Sequence, residues 1–517
     1  VAGPLTDGRA PLAALLAGLL LLAGAAAAWL ATHSAARWVL RRWARRTLLR
    51  VRTRTDRDKF TRRARVIAQV LDDPAVAAAV RAHADAHGED EAATWRRARR
   101  YLHEIVPFFS ILAYYRLGYW LSRAALGVFY KVTVTVERAD PFRDVPRDAT
   151  VIYLMNHRSN ADYVLVSYVL LGRVAISWAV GEWARAFPLE LLFKSFGSYF
   201  IRRRHREPLY HAVLRGYVER VTREGVTQGI FPEGGLTRDG ALRPAKIGLL
   251  DYALGAARDP ALRRRLVVVP VGLNYDRVLE DRSLLRELES RAPVRGAGAR
   301  LAQGWEVGRF VARNVGRMLL RRWRRYGQAA VTIGAPIPVA PWLEALEAEG
   351  PPLHERPREE RLPLVQAWCD GVMARVGQLI PVPPVPLACA ALQSLDGDVI
   401  PLEALLERMT AMRDVLRAGN AAVLRADRDM AVTWERAERM LRLRRMVAVT
   451  ADGVARLPQG RPLVSYYANS IVHLLGPFAA AVRAGDALPV PDWERAEGRA
   501  ASGARPRPPL PSAAAGE

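Results

Sequence analysis

Residues Val151 to Asp162 read V-I-Y-L-M-N-H-R-S-N-A-D. The apolar run Val151–Met155 has the length and content of a buried strand. Asn156 ends it, and His157-Arg158-Ser159-Asn160 are the polar, cap-forming start of a helix that the apolar stretch Tyr163–Leu171 continues. His157 and Asp162 therefore flank a strand-to-helix turn, the place where ligands of open α/β sheets bind. Five positions apart across such a turn, a carboxylate can reach back to one imidazole nitrogen and leave the other as a base facing the cleft. Such a pair takes a proton from a hydroxyl. The competing reading is a helix cap beside a surface histidine, because an isolated H-x4-D is a weak signal.

The chain has 517 residues, 50% of them hydrophobic, enough for a large core and more than one domain. Its two cysteines, Cys369 and Cys389, imply neither a disulfide scaffold nor a cysteine metal site. No His/Cys/Asp spacing suggests a metal, and no cofactor is expected. The net charge is +25, and of 77 basic residues only Lys59, Lys131, Lys194 and Lys246 are lysine. That charge points to an anionic partner, and anionic membrane lipids fit better than nucleic acid, for which no zinc finger, RNP or heptad pattern is present.

Ala10–Ala31 is uncharged and about 20 residues long, enough to span a bilayer. The arginine cluster Arg37–Arg65 behind it holds that side in the cytoplasm. Residues 1–36 are therefore read as an uncleaved transmembrane anchor of the inner membrane, with the remainder on the cytoplasmic side. A cleaved signal is the alternative. Residues 37–131 form a basic and aromatic helical region at the membrane. Within it Thr61–Glu104 reads as a charged, solvated helical hairpin. Val106–Tyr130 reads either as an interfacial helix or as a helix docked on the next domain.

An α/β domain is expected over 132–380. Val132–Val136 alternates as its first strand, and Val174–Val180 is another. Gly197-Ser-Tyr-Phe-Ile-Arg-Arg-Arg204 runs a short strand into cations, and arginine forks suit phosphate. In Gly229-Ile-Phe-Pro-Glu-Gly-Gly-Leu-Thr-Arg-Asp-Gly240 a strand ends at Phe231 and enters a loop whose glycines admit close backbone approach to an anion. Glu233 there either meets an acceptor hydroxyl or steadies the loop. Lys246 follows. Leu266–Leu273 is a buried strand bent at Pro270 and Gly272, and proline confines itself to irregular places in strands. Ala329–Ile333 reads as a closing strand. The basic stretch Ser283–Tyr326 is a lipid-facing helix or a solvated one. Residues 381–484, opened by the Pro-rich Ile380–Pro386, form a C-terminal helical domain. Residues 485–517, rich in Pro, Ala and Gly, form a disordered tail.

Taken in order, H-x4-D, G-x-x-F-I-R-R, F-P-E-G-G and V-P-V-G resemble the four motifs of the glycerophospholipid acyltransferase family. Asn274–Leu288 and Ser465–Leu475 extend the likeness to its membrane-bound bacterial glycerol-3-phosphate acyltransferases, over roughly Arg100 to Pro477. The resemblance implies an α/β fold, an acyltransferase-type sheet flanked by helices, with a membrane-associated helical region before it and a helical domain after it. It implies transfer of a fatty acyl chain from acyl-CoA or acyl carrier protein to the sn-1 hydroxyl of glycerol 3-phosphate. His157 would be the general base and Asp162 its orienting partner. Arg202, Arg203, Glu233, Gly234 and Gly235 would bind the glycerol phosphate, and Pro270 would line the pocket. The chain departs from the family at Asn160, where many members have His, and at Leu236, where the common form has Arg. Arg238 or Lys246 would then supply the missing charge. The rivals are acylation of dihydroxyacetone phosphate or of 1-acylglycerol 3-phosphate, and a non-catalytic lipid-binding protein on the same fold.

Overall fold

A computed structural model describes residues 63–107, 126–137, 145–146, 148–170, 176–181, 197–202, 205–289 and 325–485, with residues 122 and 193–194. The anchor at 1–36, most of the aromatic stretch 106–130, the basic stretch near 313–324, the tail after 485 and Arg203 lie outside them. Among the described residues no helix is long and apolar enough to cross a membrane.

Three helices come first: α1 (Arg63–Leu71), α2 (Pro74–His87) and α3 (Glu91–Ile105). Asp73 and Asp90 cap α2 and α3 by accepting from Ala75 N and from Ala92 N and Ala93 N. Gly88 ends α2 at φ 61°, the left-handed conformation that glycine adopts without strain. The strands β1 (Lys131–Val136) and β2 (Thr150–Met155) follow, then α4 (Asp162–Leu170), β3 (Ser177–Val180) and β4 (Tyr199–Phe200). Next come α5 (Pro208–Arg223), β5 (Gln228–Ile230), α6 (Gly248–Gly255) and the long β6 (Leu266–Tyr275). After α7 (Asp281–Glu289) the chain forms β7 (Gln328–Ile333), β8 (Ile337–Pro338), α8 (Ala340–Glu349) and α9 (Arg358–Gln378). The C-terminal part holds α10 (Pro384–Gln393), β9 (Val399–Ile400), α11 (Leu402–Ala418), α12 (Met430–Leu443), the hairpin β10 (Val447–Thr450) and β11 (Gly453–Arg456), and α13 (Arg461–Asn469).

The main sheet runs β1-β7-β6-β2-β5-β3-β4, with β8 also paired to β6. Strands β6, β2, β5, β3 and β4 are mutually parallel, while β7 and β8 run antiparallel to β6. Ala329–Ile333 is thus interior, between β6 and β1, and the outer edge belongs to Val132–Val136. All six residues of β2 and all ten of β6 are buried, which explains their unbroken apolar runs: helices cover both faces.

Strand alternation sorts the core into two layers. Val151, Tyr153, Met155, Val267, Val269, Val271 and Leu273 share one cluster with the C-terminal helices α10 to α13. Ile152, Leu154, Leu266 and Val268 share the other with α1 to α3, α5, α6, α8 and α9. The segment Thr61–Glu104 is therefore not a solvated hairpin. Val76 and Val80 on α2, and Ala98, Leu102 and Ile105 on α3, repeat at the helical spacing of three and four and are buried against the sheet layer. The charged residues between them hid that stripe. The Pro-rich Ile380–Pro386 continues directly into α10, all ten of whose residues are buried. Pro384 sits in the first turn, where a missing N–H costs nothing.

Pro270 occupies a central strand, and the pairing explains how. Its carbonyl accepts from Gly334 N at 2.9 Å, on the side of β6 that faces β7 and β8. Nitrogen and oxygen of one extended residue face the same neighbour, so the ladder with β2 loses nothing. On its own side Pro270 falls in the gap between Val268, paired with β8, and Val271, paired with β7.

Candidate active site

The parallel strands end along one edge, where the loops after β2 and β5 meet, while the loop after β4 leaves two strands beyond β5. After Met155, the Asn156 side chain extends the ladder. Its amide donates to Leu273 O (3.0 Å) and accepts from Leu273 N (2.8 Å), which pins the turn to β6.

At that turn His157 Nδ1 lies 2.9 Å from Asp162 Oδ2. The same oxygen accepts from Arg158 N at 2.7 Å and Ser159 N at 3.0 Å. Asp162 Oδ1 accepts from Tyr275 Oη at 2.5 Å. Asp162 is wholly buried and His157 is 2% exposed. A carboxylate with this many donors is held in one orientation. It fixes the imidazole proton on Nδ1, so Nε2 is the basic nitrogen of the neutral ring. Phe231 stacks on the imidazole at 4.0 Å and 18°, and Tyr163 meets it edge-on at 5.4 Å. Burial and the charge of Asp162 hold the Tyr275 phenol well above its ordinary pKa, so it stays a donor.

Glu233 is 1% exposed and steadies the loops. Its Oε1 accepts from His157 N (2.8 Å) and its Oε2 from Arg243 N (3.3 Å). Burial pushes it up to about 8, against the pull of these amides and of Arg243 and Arg158. Thr237 N donates to His157 O at 3.2 Å, closing the loop after β5 onto the turn after β2. Gly234 has φ 67°, and a Cβ there would meet Lys246 Cδ at 2.9 Å, so the Lys246 stem lies across Gly234. Gly235 beside it is half-buried.

The remaining cations sit elsewhere. Arg202 forks onto Glu104 of α3, Nε to Oε1 at 2.8 Å and Nη2 to Oε2 at 2.6 Å, and lies over the Tyr101 ring. The bond to Glu104 raises its pKa. Arg238 is exposed and pairs with Glu287 at 3.2 Å. Pro270 packs its ring toward Gly334, one strand from Leu154. The structure thus gathers His157, Asp162, Glu233, Gly234, Gly235 and Lys246 and leaves Arg202 and Arg238 with carboxylates.

Sequence reading missed four contributors. Tyr275 lies 113 residues beyond its partner Asp162. Glu280, pushed up by burial, accepts from Ser159 Oγ (2.7 Å) and Asn160 N (3.2 Å). Asn469 on α13 donates to Asp239 O at 3.0 Å. Arg158 is 2% exposed, reaches the Gly240 carbonyl with Nη1, and lies 5.2 Å from the Tyr466 ring centroid. In the sequence Asn274–Leu288 carries only a family likeness, and no local pattern marks its side chains as partners of the turn.

A buried His–Asp pair at the carboxyl edge of a parallel sheet is an arrangement able to take a proton from a hydroxyl. Residues 134–274 match the Acyltransferase family model, and residues 315–487 match the Glycerol-3-phosphate acyltransferase C-terminal region. The Acyltransferase match is followed along the chain by the match to that C-terminal region, in line with the family resemblance read from the four blocks. The relatives are proteins named glycerol-3-phosphate acyltransferase. That of Aeromonas hydrophila is 28% identical over 374 residues, 69% of this chain and 43% of the relative. That of Xylella fastidiosa strain M12 is 27% identical over 431 residues, 81% and 47%. That of Haemophilus influenzae is 30% identical over 339 residues, 63% and 39%. The chain spans under half the length of these relatives. Among solved structures, 1-acyl-sn-glycerophosphate acyltransferase from Thermotoga maritima aligns over 50% of this chain and 78% of that one, with 18% identity and a TM-score of 0.28, too slight a likeness to carry an argument.

Proposed function

We propose that this protein transfers a fatty acyl chain from an acyl thioester, of CoA or of acyl carrier protein, to the sn-1 hydroxyl of glycerol 3-phosphate, giving lysophosphatidate. The observation that carries the reading is the buried His157–Asp162 pair, 2.9 Å apart, inside the segment matched to acyltransferases. The relatives' names supply the acceptor. His157 Nε2 takes the proton as the hydroxyl oxygen attacks the thioester carbonyl. Asp162 stabilises the imidazolium that forms. The tetrahedral oxyanion collapses, the carbon–sulfur bond breaks, and the thiolate leaves with the proton from Nε2. Lys246 and the loop Glu233–Gly240 would help to hold the phosphate, as the stem of Lys246 across Gly234 supports. Arg202 and Arg203 join them if an incoming phosphate draws Arg202 from Glu104.

His157→Ala should lower turnover by on the order of 10²–10⁴ with the fold intact. Thin-layer or mass-spectrometric detection of lysophosphatidate from purified protein, glycerol 3-phosphate and a panel of thioesters is the assay. A variant that keeps more than about a tenth of the wild-type rate contradicts the base.

The same reading places the protein at the inner membrane with the acyltransferase domain on the cytoplasmic face, in contact with anionic lipids. Support comes from the uncharged Ala10–Ala31 and the arginines that follow. Protease added to spheroplasts should spare everything after Arg37, and digestion there refutes the orientation.

A further inference from the structure

We infer that Arg158, the residue after the base, is the buried contact for the acceptor's phosphate, and that α13 walls the pocket through Tyr466. This rests on the acceptor proposed above. Among the described residues the other arginine in the buried class, Arg444, pairs with Asp281. Arg158, 2% exposed, makes no ion pair with any described carboxylate. Asp162 takes its backbone N–H and not its guanidinium. Only Nη1 is bonded, to the Gly240 carbonyl, while Nε and Nη2 are buried without a hydrogen-bond partner. A guanidinium buried with two vacant donors is costly unless an anion completes it.

Tyr466, whose ring lies 5.2 Å from that guanidinium, has a buried hydroxyl that also lacks a partner. The vacant donors thus come from two facing side chains on different parts of the fold. A phosphate dianion presents three acceptor oxygens and suits an arginine fork. The surroundings are already braced. Gly240 packs so closely on α13 that a Cβ would stand 1.8 Å from the Tyr466 carbonyl oxygen, and Asn469 holds the neighbouring Asp239 carbonyl. Arg202 and Arg238 are engaged by Glu104 and Glu287, whereas Arg158 stands beside the base with donors to give. Nε and Nη2 carry no solvent-exposed surface, so an anion reaches them by displacing protein atoms, and the pocket is completed on binding.

The test uses the full chain and two variants, Arg158→Gln and Arg158→Lys. In Arg158→Gln the KM for glycerol 3-phosphate should rise about tenfold or more, the loss of a charged hydrogen bond. The KM for the acyl thioester should stay within about twofold of wild type. Inorganic phosphate should compete with glycerol 3-phosphate in the wild type and lose that inhibition in the variant. An unchanged acceptor KM, an equal rise for both substrates, or phosphate inhibition as strong as in the wild type overturns the assignment. If Arg158→Gln does not fold, Arg158→Lys keeps the charge and decides by the same split of KM values. Should the wild type fail to acylate glycerol 3-phosphate, the proposed acceptor is wrong. Calorimetric titration with inorganic phosphate then judges Arg158 alone: binding lost in the variants supports the site, and binding retained overturns it.

Discussion

Replacing Asp162 by asparagine separates the chemical duty of that carboxylate from its structural one. Four donors converge on it: His157 Nδ1, Arg158 N and Ser159 N on Oδ2, and Tyr275 Oη on Oδ1. The two backbone amides cannot turn away, so the carboxamide oxygen must take the Oδ2 position. Its NH2 then faces Tyr275, whose hydroxyl can rotate to accept. The Tyr275 O–H proton then loses its acceptor, and folding should weaken by about 1–3 kcal/mol from that loss and from charged hydrogen bonds becoming neutral ones. The imidazole keeps its Nδ1 proton but loses the charge that stabilises the imidazolium. An ion pair near 4 Å at an effective dielectric of about 20 is worth about 4 kcal/mol. Turnover should therefore fall by about 10²–10³, with both KM values little changed. Asp162→Ala should instead leave all four donors without an acceptor and cost upwards of about 4 kcal/mol, with visible loss of structure. Thioester consumption under saturating substrates and thermal melting by circular dichroism measure the two effects. An asparagine variant keeping more than about a tenth of the rate, or an alanine variant melting with the wild type, refutes this account.

Tyr275→Phe removes one of the four donors and leaves Oδ2 in place, so stability should drop by about 1.5–3 kcal/mol while turnover stays within about tenfold. Urea denaturation and initial rates check it, and a loss as deep as that of His157→Ala refutes it. Glu233, raised from 4.5 to about 8, holds a proton in the folded chain that the unfolded chain has released between those values. Folding stability should therefore fall as pH rises through that window, and Glu233→Gln should flatten the slope. Equal slopes in urea titrations at pH 5, 6.5 and 8 would contradict that. Gly240→Ala faces φ 89° and the Tyr466 backbone. It should cost about 2–5 kcal/mol in strain and overpacking, and a melting temperature equal to wild type would show that α13 does not clasp this loop.

The sequence alone established what is local. The run Val151–Met155 followed by H-x4-D has one comfortable fold, a buried strand turning into a helix, and a five-residue gap lets Asp162 reach His157. The glycines of Gly229–Gly240 and the unbroken apolar β6 are legible for the same reason, because their conformational and burial demands act on neighbouring residues. What tertiary structure decided is everything that depends on which distant surfaces meet. Tyr275 and Glu280 reach the turn only because β6 lies beside β2. Arg202 looks like a phosphate ligand in sequence, yet α3 brings Glu104 to it across 98 residues. Arg158 looks like one more surface arginine until α13 arrives from 308 positions away and covers it with Tyr466. Charge and hydrogen-bonding capacity are written residue by residue. Whether a given arginine is neutralised, solvated or left open in the interior is set by packing between segments, and no local pattern encodes that.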